Sequence, residues 1–137
     1  MKMPLVTIIL ATYNQESYVA NALNSILQQT YKNLEIIICD NGSTDDTKSA
    51  IQNILLDNPE ITFLNFSENQ NITLRHNHCI SLASGQFVSI LFGDDYYFPT
   101  KIEKQVIAFK SLDESWGVVY GPTLIKNQIK DNFFEAP

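Results

Sequence analysis

Two carboxylates stand side by side at Asp94 and Asp95, directly after the apolar run Gln86 to Phe92 and a glycine at position 93. Adjacent acids at a turn repel each other unless a cation or hydrogen-bond donors compensate. One reading is therefore a divalent-ion site, in which carboxylate and phosphate oxygens share a Mg2+ that keeps some of its waters. The other is a solvated turn, with Asp95 capping the next turn of the chain. Asp40 and Asn41, after another apolar run, offer oxygens to a ribose hydroxyl or a base N–H, or else form an Asx-turn leading into Ser43. Tyr13 closes the first apolar run with a ring able to stack on a nucleobase or simply to pack.

Other chemistry-bearing residues point less clearly. His76 and His78 lie two apart, so on a helix they do not share a face as an i, i+4 metal pair would, and they read as surface or core residues. Arg75 is the sole arginine, suited to an anionic phosphate or to a solvated helix face. Tyr96, Tyr97 and Phe98 read as packing that anchors the loop after Asp95. The five glycines form neither GxxxxGK[ST] nor GxGxxG, and there is no GxSxG. A Walker phosphate cradle, a dinucleotide fingerprint and a serine hydrolase are thereby excluded.

Composition narrows the classes further. The 137 residues allow one domain, and 45% hydrophobic with 11% aromatic residues supplies a core. Fifteen acidic against nine basic side chains give a formal charge of −6, which argues against a general nucleic-acid partner. Cys39 and Cys79 lack zinc spacing and read as two buried thiols in a reducing cytosol. The apolar stretch after Met1 to Pro4 is only Leu5 to Ala11, neither a signal peptide nor a transmembrane segment.

The elements that must position these residues alternate in type. Leu5 to Ala11 and Leu34 to Cys39 are continuous β-branched runs of the kind buried on both faces of a parallel sheet. Between them Tyr18, Val19, Ala22, Leu23, Ile26 and Leu27 make one helical face. Ser43 and Thr44 are N-cap candidates for a second helix whose inner face is Ala50, Ile51, Ile54 and Leu55, stopped by Asn58 and Pro59. Ile61 to Phe66 reads as strand three, Ile72 to Ala83 as a helix with Gly85 near C′, and Gln86 to Phe92 as strand four. A helix opening at Pro99 or Thr100 and a fifth strand over Gly117 to Tyr120 complete βαβαβαβαβ. The predicted fold is α/β, a doubly wound, mostly parallel open sheet with helices on both faces. Ligands of such sheets bind beyond the carboxyl ends of the strands, where Tyr13, Asp40 and Asp94 all fall.

Taken in order, these motifs resemble a known family. VTIILATYNQESYVANALNSILQQTYKNLEIIICDNGSTDDT, from Val6 to Thr47, closely resembles the opening of family 2 glycosyltransferases of the GT-A fold. Downstream, Asn69, Asn77 and LASGQFVSILFGDDYYFPTKIEKQ, from Leu82 to Gln105, are similar to that family's N-x-G, R-N-x-G and D-x-D-D segments. The likeness covers about Val6 to Tyr120.

The resemblance implies a nucleotide-sugar site, with a UDP-sugar favoured among nucleoside-diphosphate sugars, and transfer to an acceptor hydroxyl with inversion. In such enzymes the first strand end, here Ala11, Tyr13 and Asn14, cradles the base. The second, here Asp40 and Asn41, reads base and ribose. The D-x-D region, here Asp94 and Asp95, contacts ribose and a divalent metal, Mg2+ or Mn2+. Two departures stand out: Phe92 occupies the place of the first D-x-D acid, and Asn41 that of the second acid in D-D-G-S. Metal ligation then rests on Asp94 and Asp95, and base preference is open, because an amide both donates and accepts. The resemblance further implies that residues 1–137 are one donor-binding domain, with the catalytic base in an acceptor-binding half beyond Pro137. No residue is assigned as that base; Asp113, Glu114, Asp131 and Glu135 read as surface charges. The expected acceptor is a saccharide or a lipid-linked saccharide, in polysaccharide assembly, and the expected place the cytoplasm or the inner face of the membrane. A noncatalytic nucleotide-sugar binder of the same fold is the alternative.

Overall fold

Seven consecutive residues of β1 (Val6–Thr12) are all buried, so this strand has to sit inside a sheet covered on both faces. A computed structural model, which describes residues 3–113, 115–127 and 132–135, places it there. β1 pairs in parallel with β2 (Leu34–Asp40), from Val6↔Leu34 to Thr12↔Asp40, and with β4 (Phe87–Phe92), from Val6↔Phe87 to Ala11↔Phe92. β2 carries β3 (Thr62–Asn65) on its other side, giving the order β3-β2-β1-β4. The sheet is built outward from β1 in one direction and then in the other, so the strand order reverses between β1 and β4. That reversal is where crevices open in doubly wound sheets.

Three helices connect these strands: α1 (Val19–Leu27), α2 (Thr47–Leu55) and α3 (Ile72–Leu82). α1 buries Val19, Ala22, Leu23 and Ile26, the face its spacing predicts, while Tyr18 stays exposed. Right-handed crossovers put α3 on the face opposite α1 and α2, and its Cys79 packs with Ile9, Ile37 and Cys39. Both cysteines are free and buried. Ile8, Ile9 and Leu10 are wholly inaccessible, each contributing about 1.5–3 kcal/mol by burial. A fourth helix, α4, runs over Lys101–Ser111.

The chain divides into two compact units, Met1–Glu103 and Lys104–Pro137. The first holds the parallel sheet. In the second, β5 (Leu124–Asn127) and β6 (Asn132–Glu135) form a separate antiparallel pair. The fifth parallel strand expected over Gly117 to Tyr120 is not formed: among the described residues that segment joins no strand, its Val119 carbonyl accepts from Gln105 instead, and Val118 and Tyr120 are 73% and 89% exposed. A short β-branched run states a preference for extended backbone but names no partner.

Two smaller expectations also change. Gly85 is not a left-handed C′ residue; a Cβ there would lie 2.6 Å from the Thr7 backbone nitrogen, so this glycine permits close approach to β1. Ser43 and Thr44 do not cap α2. Its N-cap is Asp46, and the Asp45 carboxylate accepts from the Thr47 N–H at 3.0 Å, because the Ser43 hydroxyl is engaged elsewhere.

Candidate functional site

The register places Asp40 beside Thr12, and Gly93 just past the pair Ala11↔Phe92, at one edge of the sheet. With strands about 4.8 Å apart, the ends of β2 and β4 flank that of β1 roughly 10 Å from each other. The three polar clusters singled out in the sequence therefore converge, and each is held by a different local device.

The ends of β1 and β2 are stitched together. Asn14 adopts a left-handed φ of 50°, which asparagine tolerates, and Gly42 a φ of 78°. The Asn14 N–H donates to Ser43 Oγ at 2.9 Å, and its side-chain oxygen accepts from the Thr44 N–H at 2.8 Å. The Gln15 N–H donates to the buried Thr47 hydroxyl at 2.7 Å. Glu16 and the start of α2 exchange bonds, from the Glu16 N–H to Asp45 at 3.1 Å and from the Asp46 N–H to Glu16 at 2.9 Å. Tyr13 is 40% exposed, while Ala11 is buried.

Asp40 is fully buried in this corner. Its Oδ1 accepts from both the hydroxyl and the N–H of Ser43, and its Oδ2 lies 3.1 Å from the Asn65 amide nitrogen, whose oxygen accepts from Lys48 at 2.9 Å. Burial pushes the Asp40 carboxyl above its ordinary value, against the lowering pull of Ser43. Asn41, 4% exposed, turns its amide away toward residues 69, 70 and 75.

The β4 corner is open by comparison. Gly93 lets the strand end lie on β1: a Cβ would come within 2.7 Å of Thr12 Oγ1. The Asp95 N–H closes a turn on the Phe92 carbonyl at 3.0 Å. Asp94 and Asp95 are both exposed. Partial burial and then the Asp94 charge push the Asp95 carboxyl up. Their donor set consists of hard oxygens, which suits Mg2+ or Mn2+. Among the described residues no group of three or more acids, histidines or cysteines could hold a metal ion, so an ion held by Asp94 and Asp95 would need its other ligands from elsewhere.

Behind this turn stands an anchor with no local sequence signal. Gln29, fully buried, donates to the Phe98 carbonyl at 2.9 Å and accepts from the Ile102 N–H at 3.1 Å, satisfying an orphan donor in the first turn of α4. Tyr97 is buried, its N–H bonded to Ser25 Oγ at 3.0 Å, whereas Tyr96 and Phe98 are exposed. Tyr97 is thus packed into the core, while the exposed rings of Tyr96 and Phe98 pack edge-to-face on each other at 5.9 Å. The Phe92 ring lies 5.7 Å from that of His76, whose Nε2 is buried without a partner. Asp113 is exposed, whereas Glu114, Asp131 and the Glu135 side chain lie outside the described residues.

The chain is similar to known proteins in sequence and fold. The family model for glycosyl transferase family 2 matches residues 7–132. The Escherichia coli UDP-Glc:alpha-D-GlcNAc-diphosphoundecaprenol beta-1,3-glucosyltransferase WfaP is 36% identical over 114 residues, covering 76% of this chain and 41% of that protein. The Campylobacter jejuni GalNAc(5)-diNAcBac-PP-undecaprenol beta-1,3-glucosyltransferase is 34% identical over 127 residues, covering 92% and 40%. The chain thus spans about two fifths of the length of these relatives. Among solved structures, the mannosyltransferase PcManGT from Pyrobaculum calidifontis, in complex with GDP-Man and Mn2+, superposes with a TM-score of 0.66 at 29% identity, covering 71% of this chain and 29% of that one. Among the described residues no helix is long and apolar enough to cross a membrane.

Proposed function

Because the chain belongs to glycosyl transferase family 2, we propose that its sheet edge binds the nucleoside diphosphate of a sugar donor, a UDP-sugar by preference, for transfer to an acceptor hydroxyl with inversion. The observation that carries this reading is the convergence of Tyr13, Asp40 and the Asp94–Asp95 pair across β2, β1 and β4 at the point of reversed strand order.

In this reading the exposed Tyr13 ring stacks on the base, with Ala11 and Asn14 shaping the wall beside it. Asp40, its Oδ1 turned to Ser43, takes a ribose hydroxyl on Oδ2 only by exchanging it for the Asn65 amide. Asn41 completes the corner. Asp94 contacts the ribose side of the diphosphate, and with Asp95 would hold Mg2+ or Mn2+. That ion, when bound, supplies Lewis-acid neutralisation of the charge that gathers on the departing diphosphate. The base that takes the acceptor's proton is assigned to no residue here; an acceptor-binding part of the whole protein supplies it. The UDP preference leans on WfaP, whose name specifies UDP-Glc, and the divalent ion on the Mn2+ complex of the mannosyltransferase. A lipid-linked saccharide acceptor, met at the cytoplasmic membrane face for polysaccharide assembly, follows the diphosphoundecaprenol acceptor in WfaP's name.

Titration calorimetry with UDP, GDP, CDP and dTDP, each with Mn2+ and with chelator, tests the proposal. The expected outcome is UDP binding that weakens at least tenfold on chelation. A folded sample that binds none of the four contradicts it.

A further inference from the structure

Asn41 stands where the resemblance implies direct reading of the base, yet its amide has no free edge. An amide offers two donor and two acceptor positions, and all four are filled. Nδ2 donates to Asn69 Oδ1 at 3.0 Å and to the Gln70 carbonyl at 2.8 Å. Oδ1 accepts from the Gln70 N–H at 3.1 Å and from Arg75 Nε at 2.9 Å. The pairing with Gln70 is bidentate, one bond to each of its backbone groups, which fixes the orientation of the amide. At 4% exposure, an Asn41 that surrendered one of these bonds would leave a buried polar group unpaired.

The segment it grips is held at further points. Arg75 lies 3.7 Å from the centre of the Phe66 ring and donates from its NH2 group to the Glu68 carbonyl at 2.9 Å. A Cβ on Gly42 would come within 2.6 Å of the Asn69 nitrogen, so residues 68 and 69 lie directly on that glycine.

We infer that Asn41 is a positioning residue that clamps residues 68–70 beside the donor site and makes no distinction between bases through its own amide. The inference rests on the donor-site reading and deepens it: Asn41 governs how well a nucleotide is held, not which pyrimidine. An aspartate in its place could still accept from Gln70 and Arg75, but its oxygen would face the Gln70 carbonyl and the Asn69 oxygen, where a donor is needed. Protonation of that aspartate would restore one donor.

The test compares wild type, Asn41→Ala and Asn41→Asp by calorimetry with UDP and CDP in Mn2+, at pH 8 and pH 5.5, together with thermal melting at both. Uracil and cytosine carry opposite donor and acceptor patterns on their pairing edge, so an amide that read this edge would set the ratio of their affinities. The clamp predicts that at pH 8 both variants weaken UDP and CDP about tenfold by a common factor, leaving the ratio unchanged within twofold. Relative to wild type at the same pH, Asn41→Asp recovers affinity and melting temperature at pH 5.5 and Asn41→Ala recovers neither. A tenfold change in the UDP to CDP ratio, or no recovery of Asn41→Asp, overturns the inference. Wild-type protein that binds neither nucleotide contradicts the donor-site reading beneath it, and the melting comparison still decides the clamp.

Discussion

The ends of β2 and β4 both carry acids, and they are built in opposite ways. At β2, Asp40 is inaccessible, satisfied by Ser43 and Asn65, and surrounded by bonds that tie three loops together. At β4, Asp94 and Asp95 stand exposed on a single turn, where partial burial and then the Asp94 charge push the Asp95 carboxyl up. The first corner is preformed: its geometry belongs to the fold and costs nothing to assemble when a ligand arrives. The second is exposed and held by a single turn. Under the proposed donor-site reading, the rigid corner would take the neutral nucleoside and the open one the anionic diphosphate with its cation.

The contrast breaks most visibly at Gly42. Gly42→Ala puts a Cβ on a residue with φ of 78° and against the backbone of residues 68 and 69, and should cost on the order of 2–3 kcal/mol. Urea melting reads that cost, and an unchanged midpoint would mean the β2 corner is not rigid. Next in size, Asp94→Asn combined with Asp95→Asn should cut Mn2+-dependent UDP binding at least tenfold, to its level in chelator, while stability stays within about 0.5 kcal/mol of wild type. A large fall in the melting temperature of that double variant would erase the distinction between the corners.

The smallest effect is a slope. Burial raises the Asp40 carboxyl above its unfolded value of about 3.9, so the native state holds that proton more tightly than the unfolded chain does. Its contribution to stability is level below the unfolded value and falls as pH rises through the window up to the raised value. Asp40→Asn should flatten that part of the pH–stability curve and weaken UDP binding. Matching curves for variant and wild type between pH 3.5 and 7 would contradict the burial account.

The sequence made some of this visible and hid the rest for identifiable reasons. The runs Val6–Thr12 and Leu34–Asp40 are legible because strands covered on both faces need unbroken apolar residues, and the order of strands and helices then fixes the binding edge. The fifth strand failed because Val118 and Tyr120 satisfy a propensity without a neighbouring strand among the described residues. The α2 cap failed because Ser43 had a stronger use, its hydroxyl being shared between Asp40 and the Asn14 N–H. The role of Gln29 and the bonding partners of Asn41 were beyond reach for another reason. Their partners lie up to 73 residues away for Gln29 and up to 34 for Asn41, and a polar side chain carries no local mark of a distant backbone group it will satisfy.

The central claim is that three strand ends make one donor site, and amide chemical-shift mapping with UDP tests it most directly, with Mg2+ for shifts and Mn2+ for paramagnetic broadening. Signals of Tyr13, Asp40 to Ser43 and Gly93 to Tyr96 should all move together on adding UDP with Mg2+, and Mn2+ should broaden Asp94 and Asp95 first. Shifts confined to the opposite edge of the sheet, near Leu34 and Phe87, with these three corners silent, would contradict the account.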